Sequence, residues 1–313
     1  MREIRRLTTL AVVSYSILLV VSNYCYGDAA QVVAANDDFQ RAVRGLRAKQ
    51  LSSIELASAV ENEFRKNSLL QAIDRVNTAT SLLDLRALFD ALNTKAFYSD
   101  SMVNALTLEK LALILKERAD LRPSEAKAVF GALVAARDFD RAEYFQKLTN
   151  VATPEPLPQT IDATIGKPVT TLWFVDPSKR VLERKSIPEL RGVHLVVVAS
   201  FDCQYSVQAL KAVTSNDALM RSLPSVAYWM VPPERSLIFS KIQAWNSDHQ
   251  FLQFALANTK DEWPFIDSWD TPEFYFLRDG KVIDRLTGWP RDGSNEQKLL
   301  SKLRELNRSA LTK

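Results

Sequence analysis

From about Asn36 to Asn150 apolar residues recur at helical spacing, glycine is nearly absent and strand-type alternation is scarce, so 36–150 is predicted to be all α-helix. Within it, Ala87-Leu88-Phe89-Asp90-Ala91-Leu92 returns as Ala128-Val129-Phe130-Gly131-Ala132-Leu133. Phe97 and Phe139 follow the two at nearly the same distance. Two architectures fit this pattern: stacked helical hairpins built as a short repeat, or an irregular bundle whose Ala and Phe positions are ordinary core.

Thr153-Pro154-Glu155-Pro156-Leu157-Pro158 breaks the helical pattern, because proline lacks an N–H and restricts the residue before it. Residues 151–159 therefore read as a linker with few contacts, and 160–313 as a second domain. There the period changes. Thr171–Val175 and Arg180–Glu183 flank Asp176-Pro177-Ser178-Lys179, a hairpin by its turn chemistry. An apolar run, His194–Ser200, is followed by a helix predicted over Val207–Val213, and a second apolar run spans Ser225–Val231. Strand, helix, strand of this kind implies a parallel pair with a right-handed crossover. Leu237–Ala257 reads as helical. Glu273–Leu277 and Val282–Leu286 enclose Arg278-Asp279-Gly280-Lys281, a second hairpin, and Glu296–Leu306 forms a closing helix. The sheet is expected to be mixed.

The N-terminus changes the picture of location. Arg2, Arg5 and Arg6 precede the apolar stretch Leu7–Val21, and small residues follow, so 1–27 reads as a signal peptide cleaved between Gly27 and Ala30. The mature protein is then periplasmic or secreted, with no stable membrane insertion, since the apolar core falls short of a spanning helix. Its loss removes Cys25 and lowers the formal net charge from +3 to +1, which gives no footing for nucleic acid. One thiol, Cys203, remains in a compartment where disulfides form. The two histidines, His194 and His249, have no zinc-like spacing to it, and no phosphate-cradling glycine motif occurs, so neither a metal nor a cofactor is implied.

Cys203 stands at a strand-to-helix switch, in Phe201-Asp202-Cys203-Gln204-Tyr205-Ser206, where helix N–H groups lower a thiol pKa. Ser186-Ile187-Pro188-Glu189-Leu190-Arg191-Gly192 leads into the strand before it, Thr271-Pro272 precedes the last hairpin, and Leu277–Gly288 forms that hairpin. On these residues the C-terminal half resembles the thioredoxin-like fold, closest in layout to exported thiol-disulfide oxidoreductases with their peroxiredoxin cousins. The whole chain is thus expected to be an α plus α/β two-domain protein. It joins an all-α domain, similar to a short tetratricopeptide-like solenoid if the repeat is real, to a thioredoxin-like α/β sandwich. The resemblance implies that Pro272 is cis and lies against Cys203, with Thr271, Pro272 and Tyr205 meeting a substrate. The sequence also departs from that family. Asp202 replaces a tryptophan and opposes thiolate formation by its charge. Val197 replaces a buried acid, and Ser206 replaces the resolving cysteine, leaving a degenerate Cys-x-x-Ser site.

Three functions follow. A thioredoxin fold kept as a protein-binding or assembly module of the cell envelope needs no chemistry at Cys203. A monothiol that exchanges or isomerises partner disulfides uses Cys203 as nucleophile and the Ser206 hydroxyl to stabilise its thiolate, but cannot release adducts with a thiol of its own. A one-cysteine peroxidase draws support from Ser200, three residues before Cys203, though the proline of the peroxiredoxin motif is Val196 here. The expected partners are proteins, including cysteine-containing ones. Trp263, Phe265 and Trp269 either wall a peptide site or pack in the core.

Overall fold

Residues 31–164, 170–223 and 227–308 are described by a computed structural model, and the predicted signal peptide lies outside them. Seven helices come first: α1 (31–47), α2 (Ser53–Lys66), α3 (Leu69–Asp74), α4 (Leu82–Phe97), α5 (Met102–Glu117), α6 (Pro123–Ala135) and α7 (Phe139–Thr149). Their starts follow from capping chemistry. The hydroxyls of Ser52, Ser81 and Ser101 accept the N–H of Glu55, Asp84 and Asn104, the Asp138 carboxylate accepts that of Arg141, and Pro123 opens α6. The two similar segments lie on α4 and α6. Their following phenylalanines differ: Phe97 is exposed, whereas Phe139 is buried edge-on against Trp173.

The C-terminal part runs β1 (Gln159–Asp162), β2 (Thr171–Val175), β3 (Val181–Ser186), β4 (Val193–Val198), α8 (Gln204–Ser215), α9 (Asp217–Ser222), β5 (Ala227–Val231), α10 (Phe239–Asp248), β6 (Phe254–Ala257), β7 (Glu273–Arg278), β8 (Lys281–Thr287) and α11 (Asn295–Arg308). The strands make one mixed sheet ordered β1-β3-β2-β6-β5-β4-β7-β8. Within it β6, β5 and β4 run parallel, and β7 is antiparallel to β4. Both predicted hairpins form. At the second turn, Asp279 (φ 49°) and Gly280 (φ 74°) take the left-handed conformation that a tight hairpin demands.

One sequence expectation is corrected and one strand is added. Leu237–Ala257 is a helix followed by the strand β6, because Phe254–Ala257 is buried at every position and a short, uniformly apolar run carries no period to separate strand from helix. The sheet also begins with β1, which emerges from the proline-rich segment and pairs parallel with β3.

Side chains alternate across the central strands. Leu195, Val197, Trp229, Phe274 and Phe276 face one apolar core with Leu210, Val213, Ile242, Leu299 and Leu303 of the helices. Val196, Val198, Met230, Tyr275 and Leu277 face a second core closed by Trp263, Ile266 and Trp269. The first core runs on without a break into the N-terminal helices. Arg137, buried in the α6–α7 turn, reaches across the junction and donates to the carbonyls of Ala257 (2.9 Å) and Pro232 (3.1 Å). The proline-rich segment carries contacts rather than hanging free. Glu155 accepts from Arg180 at 2.7 Å and from the Ser240 N–H at 3.0 Å, and Leu157 packs on the core. Among the described residues no helix is long and apolar enough to cross a membrane.

Candidate functional site

The central strand β4 ends at Val198, and the chain turns through Ser200–Asp202 to put Cys203 at the N-cap of α8. Its N–H donates to the Ser200 carbonyl at 3.2 Å and its own carbonyl accepts the Val207 N–H at 3.0 Å, so the backbone fixes the sulfur over the positive end of the helix. The thiol is partly exposed and unpaired. Across from it, the Thr271–Pro272 peptide is cis, and the thiol donates to the Thr271 carbonyl at 3.1 Å. Burial pushes the Cys203 thiol pKa up. Hydrogen bonds to the thiolate from the Thr271 side chain, the Ser206 N–H and hydroxyl, and the Tyr205 N–H more than offset it, and the net direction is down.

Ser206 is fully buried, and its oxygen also accepts the Ser200 N–H at 3.3 Å. Asp202 forms an ion pair with Lys241 of α10, which offsets the negative charge expected to oppose thiolate formation. Cys203, Ser206, Thr271 and Pro272 are thus brought together. Tyr205 contributes its N–H but has a solvent-exposed ring and does not line the cleft at the sulfur. His194 hydrogen-bonds the Arg191 carbonyl through Nε2 at 2.7 Å and stacks on Tyr228, away from this site.

That cleft, of about 420 Å³, lies where the two parts of the chain meet. One wall comes from the helical part: Ala96 and Phe97 of α4, Ser99 just after it, and Ala135 of α6. The other carries Ser200, Asp202, Cys203, Glu234, Arg235, Lys260 and Thr271. Arg235 bolts the walls together. Its guanidinium donates to the Asn93 side chain at 2.6 Å and the Asn93 carbonyl at 3.1 Å and lies over the Phe97 ring. Burial pushes its pKa down to about 10, which leaves it cationic at neutral pH. Gly131 makes the approach possible, since a Cβ there would meet Arg235 side-chain and carbonyl atoms at 3.1 Å. Two N–H groups of the segment leading to Thr271 are also taken by the N-terminal part, that of Lys260 by Asp100 of the α4–α5 loop and that of Trp269 by Ser53 of α2, each at 2.9 Å.

No family model matches the sequence, and no curated protein matches it. Among solved structures, the crystal structure of a thioredoxin-like protein from Bacteroides caccae ATCC 43185 aligns over 79% of this chain and 82% of its own, at 10% identity and a TM-score of 0.30. So distant a likeness carries no inference about this chain's chemistry. The molecule's own layout is consistent with a thioredoxin-like α/β arrangement: β5-β4-β7-β8 in order, a cysteine opening the helix after β4, and a cis-proline before β7.

Reading the sequence missed Glu234, Arg235, Lys260 and the whole helical wall. The first two had a signal. They follow Pro232-Pro233 at the C-terminal end of a parallel strand, the edge at which α/β sheets gather their ligand-binding side chains. Trp263 and Trp269 do close the second core, and with Ile54, Ala57 and Tyr98 they also line a neighbouring cleft of about 390 Å³.

Proposed function

We propose that this is an exported monothiol protein that forms mixed disulfides with cysteine-bearing partners through Cys203. The observation that carries the reading is the partly exposed sulfur at the α8 N-terminus, with Thr271, Ser206 and Tyr205 arranged to favour its thiolate, inside a cleft lined by both the helical and the sheet-bearing parts of the chain. Attack by that thiolate on a partner disulfide gives a mixed disulfide and a free partner thiol. Ser206 cannot resolve the adduct, so release awaits a second thiol from outside the chain. The protein therefore captures or isomerises disulfides and does not turn over rapidly as a reductase. The reading of residues 1–27 as a secretory signal supports this, since export brings a chain to an oxidising compartment where such partners occur. Non-reducing electrophoresis of protein recovered from its native compartment, after acid quenching and alkylation, tests this: partner adducts should be present in the wild type and absent in Cys203→Ala. A wholly unmodified thiol, alkylated only after unfolding, refutes it.

A second reading, a binding or assembly module in the cell envelope, is favoured by apolar side chains left exposed beside the clefts. Phe97 is 62% and Val103 71% exposed, the former on the wall facing Cys203. If it holds, Cys203→Ala retains the partner noncovalently, and Phe97→Ala with Val103→Ser releases it.

A further inference from the structure

The cleft holds a carboxyl that the monothiol reading leaves unused. Glu234 leaves the end of β5 and lines the same cavity as Cys203. The Ser200 hydroxyl donates to its Oε2 at 3.3 Å. Ser200 is also the hub of the cysteine turn: its hydroxyl oxygen accepts the Asp202 N–H at 3.3 Å, its carbonyl accepts the Cys203 N–H, and its N–H goes to Ser206 Oγ. Glu234 is thus tied through one side chain to the segment that positions the sulfur.

The charged groups around it come from several elements. Arg137 lies in the α6–α7 turn, Asp202 in the turn before α8, Lys241 on α10, and Arg235 and Lys260 on the cleft walls. Burial raises the Glu234 pKa and Asp202 adds to the rise, while the Ser200 hydrogen bond, Arg137 and Lys241 act the other way; the net direction is up. Such a carboxyl holds a proton further toward neutral pH than an exposed one.

Disulfide exchange in a half-enclosed cleft has a specific need for that proton. An alkyl thiolate leaving into such a space is poorly solvated, and a sulfur that leaves as a strong base leaves slowly. We infer that Glu234 is the proton carrier of the exchange, relaying a proton from Cys203 to the sulfur that leaves. The Cys203 thiol gives its proton to the Glu234 carboxylate and its thiolate attacks one sulfur of a dialkyl disulfide. The new S–S bond forms as the substrate S–S bond breaks. The electron pair of the broken bond goes to the departing sulfur, which takes the proton from Glu234. The Cys203 sulfur is oxidised and the departing sulfur reduced, so the products are a mixed disulfide and a neutral thiol. The reverse reaction runs the proton back.

This inference rests on the monothiol reading, and two probes separate their fates. The disulfide of mercaptoethanol has a basic leaving thiol, whereas a dipyridyl disulfide releases a group that needs no such proton. The ratio of their rates at Cys203 cancels any change in the thiol itself. Glu234→Gln in the full chain should lower the alkyl-to-aromatic ratio about tenfold or more, as the loss of a general acid does. In the wild type the ratio should fall as pH rises through the titration of Glu234, and in Glu234→Gln it should be flat. Glu234→Asp, which keeps a proton carrier, should restore part of both. A ratio and pH profile unchanged in Glu234→Gln would overturn the inference alone. Failure of both probes to react with wild-type Cys203 would overturn the monothiol reading and the inference with it.

Discussion

The Arg137 guanidinium donates its Nε proton to the carbonyl of Ala257 at 2.9 Å, joining the turn of the last helical pair to the end of β6, 120 residues on. Both groups are buried, so the bond cannot be replaced by water. Arg137→Met should leave the Ala257 and Pro232 carbonyls unpaired and cost about 2–5 kcal/mol, read as a lower urea midpoint. Because the apolar core is continuous across the junction, wild-type unfolding should be a single transition by both tryptophan fluorescence and helical circular dichroism. Two separated transitions would show that the halves are independent.

Gly131 controls the same junction sterically. Gly131→Ala places a methyl group 3.1 Å from the Arg235 backbone oxygen and Cβ, so α6 or the Arg235 segment must shift. The expected loss is about 1–3 kcal/mol. Since Arg235 lines the cysteine cleft, the substitution should also change the alkylation rate of Cys203 in the folded protein, which a purely local disturbance of α6 would not.

Cys203 should react with iodoacetamide with a pH midpoint below that of an unstructured cysteine peptide, because the thiolate-favouring hydrogen bonds outweigh burial. Ser206→Ala removes one of those donors and should move the midpoint up. It also strips the Ser200 N–H of its acceptor and should destabilise the fold by about 1–3 kcal/mol. Ser206→Cys restores the second sulfur one helical turn from the first. Thiol counting should show a reversible internal disulfide, together with a gain in reductase turnover.

Glu273, next to Pro272, is 1% exposed and accepts from Thr287 at 3.0 Å, with Arg285 3.2 Å away. Burial raises its pKa from 4.5 to about 7 despite the Thr287 hydrogen bond and Arg285. Between those values the folded state holds a proton that the unfolded state has released, so the contribution of Glu273 to stability declines as pH rises across that window. Glu273→Gln should flatten the decline by roughly 1–3 kcal/mol. Urea midpoints measured from about pH 5 to about pH 8 check the slope; a wild-type profile no steeper than the variant's would refute it.

What the sequence discloses follows from how local each signal is. The Asp279-Gly280 turn needs left-handed backbone and names its own hairpin, and the serines before α2, α4 and α5 name their helices. Cys203 and Pro272 were legible as a pair only through the resemblance, since 68 residues separate the sulfur from the Thr271 carbonyl that it meets. Strand β6 was hidden because Phe254–Ala257 is buried on both sides and reads the same as a helix turn. Glu234, Arg235 and the helical wall were hidden for a different reason. Their placement at the sulfur is a product of how the two parts dock, and no spacing in the chain encodes that.

The bond between the Trp269 N–H and Ser53 spans 216 residues, and it has a consequence in time. Helices 53–149 pack against near neighbours in the chain, whereas β7 pairs with β4 from Val198↔Glu273 to Val193↔Arg278, across about half of the C-terminal part, and long-range pairings of that kind form slowly. Until β7 pairs with β4, the Thr271 groups that bond the sulfur are not held beside it. On the monothiol reading the reactivity of Cys203 then reports tertiary packing: a chain in which the β4–β7 pairing is broken carries the sulfur without the Thr271 contacts that favour its thiolate.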